Sequence, residues 1–185
     1  MKFRSLKPSE VECRIGTVGK SGNGLSLLLY KTARVDADVL DETVGAQNWQ
    51  CDFYDCKGTL FCKVGIAIGG WVADAGGKKF PAQKWVWKAD AGAKSNMEAE
   101  KGEASDAFKR ACFKWGIGRE LYTAPFIWIP SDRCRLEQYK GNWTCRDRFA
   151  VTQMDVNDGR IRFVEILNAS TGQIVYQWKE QNIGA

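Results

Sequence analysis

Apolar and polar positions alternate along this chain in short runs, and most runs end at a turn signal. Val11 to Val18 reads as extended. Gly19-Lys20-Ser21-Gly22-Asn23-Gly24 is a hairpin turn, and Leu25 to Tyr30 is the return strand. The period then changes. Ala33, Ala37, Leu40 and Val44 fall at i, i+4, i+7 and i+11, which predicts a helix. Thr32 suits its N-cap, Asp36 and Asp38 its early turns, and Gly45 its C′ position. Strict alternation returns in Trp49 to Cys56 and Thr59 to Ile68, a hairpin joined at Lys57-Gly58 with one buried face. Gly69 to Pro81 reads as a glycine-rich loop, and Gln83 to Ala91 as a third strand.

The longest helix follows. Ser95-Asn96-Met97-Glu98 has the form of a capping box. Met97, Ala104, Ala107, Phe108, Ala111 and Trp115 form its apolar stripe, and Gly116 stops it. Beyond Pro130 the pattern becomes a strand meander over Trp143 to Met154, Ile161 to Leu167 and Ile174 to Trp178. Asn157-Asp158-Gly159 and Ser170-Thr171-Gly172 are its turns. No apolar run approaches the roughly 18 residues of a membrane span. The N-terminus, MKFRSLKPSE, carries no apolar leader. A cytoplasmic protein is therefore expected, with no membrane partner.

Composition narrows the chemistry. The 185 residues include no histidine, which excludes Ser-His-Asp and Cys-His catalysis and His-ligated zinc. The seven cysteines are an odd number without a CxxC pair, so reduced, mostly buried thiols are expected. Gly16-Thr17-Val18-Gly19-Lys20-Ser21 is too short for a phosphate loop and leads into a strand. A metal-dependent nuclease would have to be assembled from scattered groups such as Asp52, Asp90 and Lys94. Solvated faces and helix-start charges account for the acidic residues more simply. No cofactor and no metal are expected.

The basic residues are more informative. From Lys78 to Arg119 there are ten bases against five acids, and that excess of five equals the net charge of the whole chain. With Ala104 at zero and about 100° per residue, Lys109 falls near 140°, Phe113 near 180° and Arg110 near 240°. A basic pair thus flanks an aromatic ring on the face turned from the core. That suits a phosphate backbone with bases nearby. It suits equally an exposed face with an Asp106–Arg110 pair and Phe113 in a subunit contact. The pattern alone leaves both open.

Two blocks carry a family resemblance. Glu100 to Gly118 reads EKGEASDAFKRACFKWGIG, followed by RELY, and Tyr30 to Gln50 reads YKTARVDADVLDETVGAQNWQ. Together they resemble the single-strand annealing proteins of the Rad52/Rad22 type, in the phage and bacterial branch. The resemblance covers roughly residues 10–125 and does not reach the meander. It implies an α+β fold in which a twisted antiparallel sheet packs on the long helix as a β-β-β-α core. It implies subunits in a ring or filament that anneal single-stranded DNA for recombination and repair, with no ATP and no enzyme chemistry. Residues 1–130 would be the annealing core, and 131–185 a β-meander extension. By the same resemblance Lys109 and Arg110 line the DNA groove, Arg14 lies at its floor, and Tyr30 is its aromatic. Lys57 and Lys94 are nearest to a second, outer DNA path. Lys88, Lys101 and Lys114 join the basic set. Phe113 stands where the eukaryotic helix has a further base, and Lys114 compensates or Phe113 stacks. The implied partners are single-stranded DNA, further copies of the chain, and a single-strand-binding protein or an exonuclease. The host would be a bacterial or phage-infected cell. The meander could extend the subunit interface, contact a partner protein, or cap the sheet edge. Passive single-strand binding remains the alternative beside a nuclease.

Overall fold

A computed structural model describes residues 1–93 and 99–181 of the chain. It is an α+β protein of mostly antiparallel sheets. Two compact units form. One takes Met1–Arg4 and Ala33–Ile117, the other Ser5–Thr32 and Gly118–Ala185.

In the first unit, α1 (Ala33–Val44) leads into a three-stranded sheet of β3 (Trp49–Cys56), β4 (Thr59–Ala73) and β5 (Lys79–Ala91). Helix α2 (Ala99–Trp115) follows. The core is built where the alternating residues of β4 meet the helical stripes. Cys62, Val64 and Ile66 are sealed against Val39 and Leu40 of α1 and Ala107, Phe108, Ala111 and Cys112 of α2. Burial of this apolar surface is what holds α2 on the sheet. The capping box and Met97 lie outside the described residues.

Three details differ from the sequence reading. Gly69 to Pro81 is not a loop. β4 runs on to Ala73 and β5 begins at Lys79, with Gly69 opposite Gln83 and Trp71 opposite Pro81. Backbone pairing needs no side-chain volume, so glycines do not end the ladder. The true turn is closed by Asp74, whose carboxylate accepts the Gly76 and Lys78 N–H groups at 2.9 Å each. Second, Cys51 and Phe53 share a face with Val64 and Cys62 yet stay exposed, because β3 is the edge strand. Third, Asp36 is fully buried. It precedes Val39 and Leu40 by three and four residues and so lies on their face of the helix.

In the second unit, β1 (Glu12–Val18) and β2 (Gly24–Tyr30) pair as expected. A short strand the pattern did not announce, β6 (Ile127–Pro130), pairs with β2. Trp143 to Met154 is not one strand. β7 (Leu136–Tyr139) and β8 (Asn142–Cys145) form a separate ribbon. β9 (Phe149–Asn157), β10 (Arg160–Asn168) and β11 (Gln173–Lys179) continue the main sheet, whose order is β11-β10-β9-β1-β2-β6. The join is at Glu12 opposite Ala150. The strands after Pro130 therefore complete the sheet begun by the N-terminal hairpin.

The break between β8 and β9 has a local cause. Asp147 is buried there, and its carboxylate accepts the Arg135 N–H at 2.8 Å, the Arg135 Nε–H at 2.9 Å and the Asn168 Nδ2–H at 2.9 Å. Burial by itself would raise its pKa, but the bonds from Arg135 and Asn168 outweigh that and hold it below the ordinary carboxylate range. A depressed folded-state pKa stabilises the fold above the unfolded value of about 3.9, and that contribution is lost as pH falls through the folded value. Asp147→Ala should cost about 2 kcal/mol in urea unfolding at neutral pH, since it strands donors that had a charged acceptor. Acid titration of the wild type should show a loss of stability below about pH 4 that the variant lacks in part.

Candidate nucleic-acid interface

Register decides which basic residues meet. Lys88 and Asp90 lie on the helix-facing side of β5, since Lys88 is opposite Val64 and Asp90 opposite Cys62. Helix α2 brings two cations to Asp90. Arg110 Nη2 is 3.6 Å from one carboxylate oxygen and Lys114 Nζ is 3.5 Å from the other. Lys88 Nζ donates to the Lys114 carbonyl at 3.0 Å and sits 4.4 Å from the centre of the Trp115 ring. Trp115 is fixed in turn by its indole N–H, which donates to the Val64 carbonyl at 3.0 Å. Two cations thus share one carboxylate, beside Lys88 and Trp115 on a platform anchored in the core.

Arg110 and Lys114 are about half exposed, so both can turn toward an anion in solvent. Arg110 pairs with Asp90, while Asp106 accepts the Ala93 N–H at 3.0 Å. The i,i+4 pair considered from the sequence is therefore replaced by a tie from helix to sheet. Lys109 is half-buried and makes no ion pair or hydrogen bond among the described residues. Phe113 is half-buried beside it on the helix. Lys57 stands exposed at the tip of the β3–β4 hairpin, with φ of 55°. Lys101 is in the first turn of α2, its side chain outside the described residues, and Lys94 lies outside them altogether.

Arg14 and Tyr30 belong to the second unit. Together they line an open groove of about 680 Å³. The Tyr30 hydroxyl donates to the Glu12 carboxylate. That bond, with burial and the Glu12 charge adding to it, raises the Tyr30 pKa above its ordinary value. Glu12 and Tyr30 are directly opposite across β1 and β2.

Sequence reasoning missed two features. One is Asp90 as the counter-charge, which shows only when β5 is placed against α2. The other is the face of the β3-β4-β5 sheet turned away from α2. There Trp85 and Trp87 stack at 6.0 Å, Tyr54 and Phe61 at 5.4 Å, and Lys63 Nζ lies 5.0 Å over Trp87. Trp85 and Trp87 are two residues apart on β5, so strand alternation alone sets them on one side. Their partners came from register alone.

Asp52 and Asp90 do not converge. Asp52, opposite Lys63, projects from one face of the sheet, and Asp90 from the other. Asp52 pairs with Lys63 at 3.1 Å. Among the described residues no group of three or more Cys, Asp or Glu side chains is arranged to hold a metal ion. None of the seven cysteines is in a disulfide, and Cys51 and Cys56 are exposed where burial had been expected. A hydrogen bond with Cys62 lowers the Cys51 pKa to about 7.

A family model described as "Rad52/22 family double-strand break repair protein" matches residues 4–135, well over half of the chain. The chain belongs to the Rad52/22 family. Its family acts in DNA double-strand break repair and annealing, and so binds DNA. The match takes in Arg14, Tyr30 and the whole of α2, and it ends before β7. No curated protein and no solved structure matches the chain. Among the described residues, no helix of this Rad52/22 chain is long and apolar enough to cross a membrane.

If the Arg110–Asp90–Lys114 cluster meets polyanions, its carboxylate opposes them. Asp90→Asn should then bind immobilised heparin more tightly, by about 0.2–1 kcal/mol, the range of an exposed pair. Elution at unchanged salt would show that these cations do not reach the ligand.

Proposed function

We propose that this chain binds single-stranded DNA and anneals complementary strands during homologous recombination. It does so without ATP, cofactor or bond-breaking chemistry, as a homo-oligomeric ring or helical filament. The family match over residues 4–135 carries this reading. The order β3, β4, β5, α2 supports the β-β-β-α core that the family implies. Residues 1–130 are the annealing core in this reading, and 131–185 the extension. The branch is the phage and bacterial one, in the cytoplasm of a bacterial or infected cell.

The mechanism follows from charge. Lys109 and Arg110, with Lys88, Lys101, Lys114, Arg14, Lys57 and Lys94 in support, neutralise phosphates and release counterions. Base edges are left unread, so binding tolerates any sequence. A strand held by its backbone has already lost much of its freedom, which lowers the cost of pairing with its complement. Repetition of the groove around an oligomer multiplies weak contacts through effective concentration. A single-strand-binding protein or an exonuclease would supply or present the strand.

The stacked Trp85–Trp87 pair under Lys63 favours a second reading. Such a platform holds bases by sequence-tolerant stacking, which suits passive single-strand binding.

Annealing of labelled complementary oligonucleotides, followed without ATP, separates the two. Wild-type protein should speed pairing. Lys109→Ala/Arg110→Ala should fold normally and anneal far more slowly. Its salt dependence of binding should be shallower by about 1.4, at about 0.7 per lost phosphate contact. Binding without faster pairing selects the passive reading. Cleavage of the DNA in Mg²⁺ or Mn²⁺ would overturn both.

A further inference from the structure

The groove that holds Arg14 and Tyr30 has a third wall. It is made by the residues leading into β9, beyond the stretch that matches the family. Pairing of Glu12 with Ala150 fixes that wall beside β1. Arg148 lies two residues before Ala150 and lines the same groove. Its backbone is held firmly. The Arg148 N–H donates to Ser170 Oγ at 3.0 Å, and its carbonyl accepts the Ala169 N–H at 2.7 Å. Its side chain is exposed.

The charges facing this groove divide into matched and unmatched. Asp147 is matched by Arg135 and Asn168. Glu12 accepts the Tyr30 hydroxyl. The guanidinium groups of Arg14 and Arg148 have neither an ion pair nor a hydrogen bond among the described residues. Two forked donors with N–H groups to spare therefore line one concavity, together with the Tyr30 ring. Guanidinium is suited to phosphate by its planar, bidentate geometry. Two such donors in one open groove suit a chain of phosphates better than a single one.

We propose that Arg148, supplied by the strands outside the family match, contacts the phosphate backbone of single-stranded DNA in the groove it shares with Arg14 and Tyr30. This rests on the DNA-binding reading above. It gives the C-terminal strands a direct part in holding the strand.

Fluorescence anisotropy of a labelled oligo-dT, titrated at several salt concentrations, tests it. Arg148→Ala should melt like the wild type, because the side chain has no partner to lose. Its affinity should fall several-fold, and its salt slope should drop by about 0.7, as for one phosphate contact on a single strand. Arg148→Lys should keep most of the slope. Lys179→Ala removes the same charge from an exposed position on β11 and should leave binding unchanged. If the wild type binds and Arg148→Ala binds equally well, the inference falls and the DNA-binding reading stands. If Lys179→Ala loses as much as Arg148→Ala, the effect is one of general charge and the inference falls again. If the wild type fails to bind, both readings fall together.

Discussion

A β-strand inside a sheet has two edges, and each must find a partner or water. For β1 those partners are β2 on one side and β9 on the other. The first comes from the neighbouring turn of the chain. The second comes from beyond the whole of the other unit. Much of the second unit depends on this distant pairing. It joins the N-terminal hairpin to β10 and β11, it walls the groove at Arg14, and it requires the chain to break cleanly between β8 and β9. Asp147 makes that break possible, since its carboxylate gives buried donors an acceptor where no strand is available.

Local periodicity was enough for much of the fold. The helix at Ala33–Val44, the hairpin at Gly19–Gly24 and the strand pair around Lys57-Gly58 follow from residues within a few positions of one another. Gly69 to Pro81 misled because glycine content signals a loop only where no ladder competes. Ile127 and Ile129 alternate over too few residues to declare a strand without β2 beside them. The break at Asp147 was illegible for a stronger reason. Its partners, Arg135 and Asn168, are remote in sequence and carry no motif.

The site divides the same way. Lys109 and Arg110 stood out because charge and helical period are local properties. Asp90 did not, because its ties to Arg110 and Lys114 exist only once β5 is laid against α2. The aromatic stack on the far face of that sheet needed the register of three strands. Arg148 resembled any surface arginine until β9 was placed beside β1.

The pairing of Glu12 with Ala150 also sets an order of events. More than a hundred residues separate the two strands, so their contact closes a very long loop. During synthesis the hairpin of β1 and β2 emerges early and keeps both outer edges open while the intervening unit is made, since β6 and β9 both follow it. That unit draws its strands and helices from a nearly continuous stretch and can close first. The second unit must wait for the last strands. Its N-terminal hairpin therefore spends the interval as an unpaired sheet edge, the state in which a nascent chain is most exposed to wrong partners.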